Sequence, residues 1–194
     1  GAAMREGTPL GSGEADALLE LAHRRGEHNR VIELAPLASA GLGNARAVAL
    51  AHALSGNIDA ALTTLDASPH VAELARDIVE LHLLRDDVTA AQLALDRTGI
   101  ALDNPVGEAY IARLGMRATG SSHYADAASG LATWHPQLGV AHAALGESML
   151  RQLNSSGARA RLVLAMRLDP VLWPLQVRVQ AIDTDANATH ASTP

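Results

Sequence analysis

The stretch AHAALGESMLRQLNSSGARARLVLAMRLDP (residues 141–170) holds two helix-like runs separated by polar turn residues at 154–157. Gly146 lies in the middle of the first run, flanked by Ala141, Ala143 and Ala144. Glycine in a helix interior costs roughly 1 kcal/mol relative to alanine. A chain that accepts this cost does so where a neighbour packs too close for a larger side chain. The stretch therefore predicts two antiparallel helices in close contact.

Earlier segments repeat the design. AHRRGEHNRVIELA (22–35), HALSGNIDAALTTL (52–65) and HLLRDDVTAAQLAL (82–95) align without gaps, and Gly26, Gly56 and Asp86 fall thirty residues apart. Each is followed two residues later by His28, Ile58 or Val88, and five residues later by Val31, Ala61 or Ala91. Each unit reads as helix, tight turn and helix, with the turn at a residue that tolerates left-handed or capped geometry. A fourth unit is IARLGMRATGSSHYADAASGL (111–131), with a turn at 119–122 and Ala127 at the small position. The fifth is the opening stretch, with Ala158 at that position. Ala91 and Ala127 are thirty-six residues apart, so the loop around 101–107 is an insertion, and Pro105 is suited to start the next helix.

The fifth unit resembles a tetratricopeptide repeat (TPR). Pro136 and Pro170 are thirty-four residues apart, the repeat length of that family. Between them Leu145-Gly146, Ala158 and Ala165 match its recurring positions, and Leu114-Gly115 repeats the pair in the fourth unit. His142, Met149 and Leu162 stand where the family carries aromatics. The resemblance covers roughly residues 12–170. It implies an all-α, right-handed superhelix of about five helix pairs with a concave inner surface. It also implies that Gly146 faces Ala158 and Leu162. A final helix at 171–182 would cap the stack. The organisation expected is a flexible lead-in at 1–11, with a cloning scar before Met4, a repeat domain at 12–182, and a disordered tail at 183–194.

Composition narrows the function classes. Apolar residues make up 48% of the chain, mostly Ala and Leu, with no Phe, two Trp and two Tyr. Small aliphatics suit packed helices better than sheets. All basic residues are Arg, which reads as codon bias rather than function. A net charge of −6 counts against general nucleic-acid binding, which depends on neutralising phosphates. With no cysteine, disulfides, thiolate metal sites and Cys nucleophiles are excluded. No apolar run reaches about 18 residues, so membrane insertion is not expected. The start lacks a leader pattern, which points to the cytoplasm, or to the periplasm if a leader was removed.

No P-loop, HExxH or GxSxG occurs. Nine histidines are scattered without i,i+4 pairing, so no catalytic, cofactor or metal site is expected. His52 and His82 occupy equivalent repeat positions and read as packing replacements for aromatics. Asp86 and Asp87 sit where turn and cap geometry explains an acid. Trp134 and Trp173 read as packing or end-cap residues.

Carried over from the family, the first helices imply a partner-binding groove lined by Glu20, Arg24, Arg46, Leu50, Arg76, Glu80, Leu83, Met116, Glu147, Leu150 and Arg151. Leu50, Leu83, Met116 and Leu150 form an apolar stripe with arginines beside it. The Lys and Asn of the family's carboxylate clamp are absent. The reading is a non-enzymatic scaffold, chaperone or assembly factor that takes a partner helix or extended peptide. A regulatory or substrate-binding domain of a larger enzyme and a structural oligomerisation unit are the alternatives, and a homo-oligomer fits either.

Overall fold

The computed structural model describes residues 10–191, with side chains described through Ala188. Of the expected lead-in, all but Leu10 and Gly11 lie outside the described residues, as do the last three residues of the expected tail. The described residues form eleven α-helices and two short 3-10 turns, with no strand. They divide into two compact units, one ending at Val71 and one beginning at Ala72.

The first unit contains α1 (Ser12–Arg24), α2 (His28–Leu34), α3 (Leu42–Leu54) and α4 (Ile58–Asp66). Leu19 and Ala22 of α1, Val31 and Leu34 of α2, and Ala47, Val48 and Ala51 of α3 make its core. Asp16 ties the pairs together by accepting from the Ser39 N–H at 2.7 Å and from Asn44 Nδ2 at 2.8 Å.

The second unit holds α5 (Ala75–Leu84), α6 (Val88–Arg97), α7 (Pro105–Thr119), α8 (Ser122–Trp134), α9 (Gly139–Arg151), α10 (Ser155–Leu168) and α11 (Leu175–Ala191). Pro105 opens α7 as the insertion loop predicts, and Asn104 caps it by accepting from the Gly107 N–H at 2.9 Å.

The thirty-residue repeat has a backbone cause. Gly26, Gly56 and Asp86 are left-handed, with φ of 69°, 82° and 60°. At each, the N–H bonds back to the third residue before it (His23, Ala53, Leu83), and the next N–H reaches Ala22, His52 or His82. This paired bonding closes the first helix and satisfies its orphan carbonyls. Asn57 and Asp87 then cap the second helix, each side chain accepting from an N–H three residues on.

The fifth turn has the same bonds, but its left-handed residue is Leu153, at φ 61° and 91% exposed. A branched side chain in that region is strained by roughly 1–2 kcal/mol. Leu153→Gly should therefore stabilise the protein by about 0.5–1 kcal/mol after glycine's larger unfolded-state entropy is subtracted. A higher denaturant midpoint with unchanged slope is the expected result.

Gly146 is explained by its neighbours. A Cβ there would stand 2.9 Å from Leu162 Cδ2 and 3.3 Å from the Ala158 carbonyl oxygen, both on α10. The Leu162 side chain packs directly onto the α9 backbone where Gly146 leaves room for it. Gly146→Leu should cost about 1–3 kcal/mol by overpacking. An unchanged thermal midpoint would contradict this crossing. Gly115 does the same for the fourth pair, where the Tyr124 ring of α8 lies against it.

The C-terminal region departs from expectation. A 3-10 turn at Pro170–Leu172 precedes α11, which continues to Ala191, so 183–191 is helical and not an irregular tail. Its extension is supported by Arg159 of α10, which grips Asp183 at 2.5 Å, and by alanines, the strongest helix formers. Leu172, Leu175 and Val179 join Ala143, Leu162 and Ala165 in one apolar cluster.

Candidate partner-binding surface

The first helices of the second unit, α5, α7 and α9, carry charge where an apolar seam would be expected. Arg113 of α7 is completely buried. Its Nη1 and Nη2 donate to the two oxygens of Glu80 on α5 at 2.5 and 2.7 Å. Its Nε and Nη2 donate to Glu147 on α9 at 3.1 and 3.0 Å. Arg117, one turn along α7, forks onto the same Glu147 at 2.8 and 2.9 Å. Planar guanidinium groups suit such two-pronged contacts, and the geometry satisfies carboxylates that burial would otherwise penalise.

The electrostatics are those of a closed network. Burial pushes the Glu147 carboxyl up, but the positive charges of Arg113 and Arg117 outweigh it and hold the group far below the usual carboxylate range. Burial opposes the charge on Arg113, while Glu147 and Glu80 hold it protonated. Tyr110 lies under the Arg113 guanidinium, 5.7 Å from the ring centre. Burial, and then the charge of Glu80, push its hydroxyl above its ordinary value.

The segment after α10 returns to α5, ninety-three to ninety-six residues earlier in the chain. Asp169 pairs with Arg76. The Trp173 indole Nε1–H donates to Asp77 Oδ1 at 2.5 Å. Arg178 Nη2 donates to the Leu83 carbonyl at 3.1 Å and lies 4.0 Å from Asp86. That carbonyl also accepts from Arg117 Nε at 3.2 Å, so two cations gather at the negative end of α5. Burial, the largest influence, lowers the Arg178 value; Glu147 opposes this and Arg117 adds to it.

The residues expected to line a groove are therefore distributed unequally. Glu20 and Arg24 are exposed on α1 and pair with each other at 2.7 Å. Arg46 and Leu50 are half-buried on α3. Arg151 is exposed at the end of α9, and Leu150 is half-buried beside the α11 cluster. Arg76 is half-buried and engaged by Asp169. Glu80, Leu83, Met116 and Glu147 are buried, which corrects their placement on an open surface. Glu80 and Glu147 are consumed by Arg113 and Arg117. Met116 packs between pairs, against Ala112, Ala128 and Ala144. The apolar stripe thus loses its two middle members to internal packing.

Sequence reasoning missed Arg113, Arg117 and the Trp173–Asp77 bond. One signal was present: Glu80, Arg113 and Glu147 are separated by 33 and 34 residues, within one residue of the thirty-four-residue repeat length. Alternating charge at one repeat register is what a buried ion ladder requires.

No protein-family model matches the chain, and no curated protein matches it. Among solved structures, one described as "MamA MSR-1 C2" is similar, at 18% identity and a TM-score of 0.46, over 82% of this chain and 97% of that one. The described residues are all-helical, and successive helices pair as helix, turn and helix. Among the described residues, no helix is long and apolar enough to cross a membrane.

Proposed function

We propose that the chain is a non-enzymatic interaction scaffold, of the chaperone or assembly-factor kind, whose first-helix faces take a partner helix. The observation that carries this reading is the seat of residues 169–178 on α5, where a carboxylate, an indole and a guanidinium each find a complementary group. A first-helix face that receives a helical segment of its own chain has the chemistry to receive another. In the first unit the corresponding residues are Glu20, Arg24, Arg46 and Leu50, of which the first two are exposed. Burial at Leu50 would supply affinity, while Arg24 and Arg46 would set orientation and on-rate.

The test uses the native partner captured by crosslinking with the intact chain. Arg24→Glu combined with Arg46→Glu should leave helicity unchanged and weaken capture at least tenfold. Reversal of the exposed Arg97, at the end of the second helix α6, should leave capture intact. Retention by the first variant and loss by the second would move the site off the first-helix faces.

A further inference from the structure

We propose that residues 169–179 are an intramolecular ligand of α5, and that the partner which displaces them is an amphipathic helix presenting the same groups in the same order. That partner carries a carboxylate, an indole four residues on and a guanidinium five residues further, with Leu or Val facing α9 and α10. The proposal rests on the groove reading above and specifies its ligand.

Three polar contacts define the seat. Asp169, Trp173 and Arg178 meet Arg76, Asp77 and the Leu83 carbonyl in the same sequential order, so segment and helix run alongside one another in one direction. Leu172, Leu175 and Val179 supply the apolar side, packed with Ala143, Leu162 and Ala165. A ligand that reproduces only the apolar side would leave Asp77 without its indole donor and Arg76 without its carboxylate. Those omissions discriminate, because each forfeits a hydrogen bond to a charged group that the resident segment makes.

The resident segment is an imperfect occupant. Tyr110 Oη and Arg76 Nε are both buried and neither finds a well-directed hydrogen-bond partner, although the two side chains lie together. Arg178 is three-quarters buried, its nearest carboxylate is 4.0 Å away, and Arg117 crowds the carbonyl it uses. Pro170 and Pro174 interrupt the chain at the start of the segment, which keeps it from being a continuous extension of α10. An incoming helix with one more acceptor at Arg76 and Tyr110 would satisfy groups that the resident leaves unmet.

An intramolecular ligand competes at an effective concentration near the millimolar range, so the wild-type chain should bind an external copy weakly. The probe is a fluorescein-labelled peptide of residues 168–188. The control peptide carries Asp169→Ala, Trp173→Ala and Arg178→Ala. The full chain with Trp173→Ala and Arg178→Ala should bind the probe at least tenfold more tightly than wild type, and should bind the control no better than wild type does. A folded double variant that binds the probe no better than wild type overturns the proposal, as does equal binding of the control. Should the double variant not fold, hydrogen exchange on wild type decides. Amides of α11 exchanging at least tenfold faster than those of α9 and α10 support release, and a common rate overturns it. Loss of capture on reversing Arg24 and Arg46 tests the broader reading separately, so either can fail alone.

Discussion

Arg113→Ala lowers stability by about 3–5 kcal/mol, because it leaves Glu80 unpaired and Glu147 half-paired in the interior. For a chain of this size, that is a fall in thermal midpoint of roughly 6–20 °C. Arg113→Lys recovers little, since an ammonium cannot fork onto two carboxylates at once. Changing Arg113 to Met together with Glu80 to Leu recovers more, because Glu147 keeps its two bonds from Arg117. A double variant as damaged as Arg113→Ala would show that the stranded Glu80 charge is not the cause. The same network sets the response to acid. The Glu147 carboxyl is held below its ordinary value of 4.5 in the folded protein, so the unfolded chain takes up the proton first as pH falls. Its contribution is present in full above about pH 5 and declines progressively below 4.5. In Arg113→Ala the cation with the largest effect on it is gone, so denaturant midpoints between pH 5 and 3 should fall less steeply than in the parent.

What could be read from the sequence and what could not divide along a physical line. The turns at Gly26, Gly56 and Asp86 were legible because the left-handed residue and its capping successor are local requirements. Gly146 was legible because the missing side chain records the neighbour that excludes it. Leu153 was not, since nothing in leucine announces φ 61°; the bonds around it impose that conformation. Arg113 was hidden because a lone arginine on an amphipathic helix looks solvent-facing until Glu80 and Glu147 are placed beside it. The groove positions failed in the second unit for a related reason. The family pattern says which way Glu80, Leu83 and Glu147 point but not what fills the space they point into. In this chain, arginines of α7 and the returning segment fill it. The helical character of 183–191 was hidden as well, because the stretch has no apolar periodicity and the Arg159 that pairs with its Asp183 lies on another helix.

Ending the chain after Leu168 should destabilise the second unit by on the order of 3 kcal/mol and make it associate. Leu172, Leu175 and Val179 are buried in the intact protein, and each buried aliphatic side chain contributes about 1.5–3 kcal/mol. Against this stands the entropy of ordering the segment's backbone, about 1–2 kcal/mol per residue, which offsets much of the gross gain. The polar contacts tip the difference. Without the segment, Asp77 loses the Trp173 N–H and Arg76 loses Asp169, while Leu162, Ala165 and Ala143 face water. A repeat array that stops on an apolar flank is prone to self-association, which is why such arrays end in a covering helix. Thermal melts should show the lower midpoint, and light scattering should show a concentration-dependent rise in mass. Adding the peptide of residues 168–188 should reverse both, since the seat on α5 and the apolar flank remain in the shortened chain. A monomer with an unchanged melt would mean that α11 rests on the repeats without stabilising them, and that its contacts with α5 are incidental to the fold.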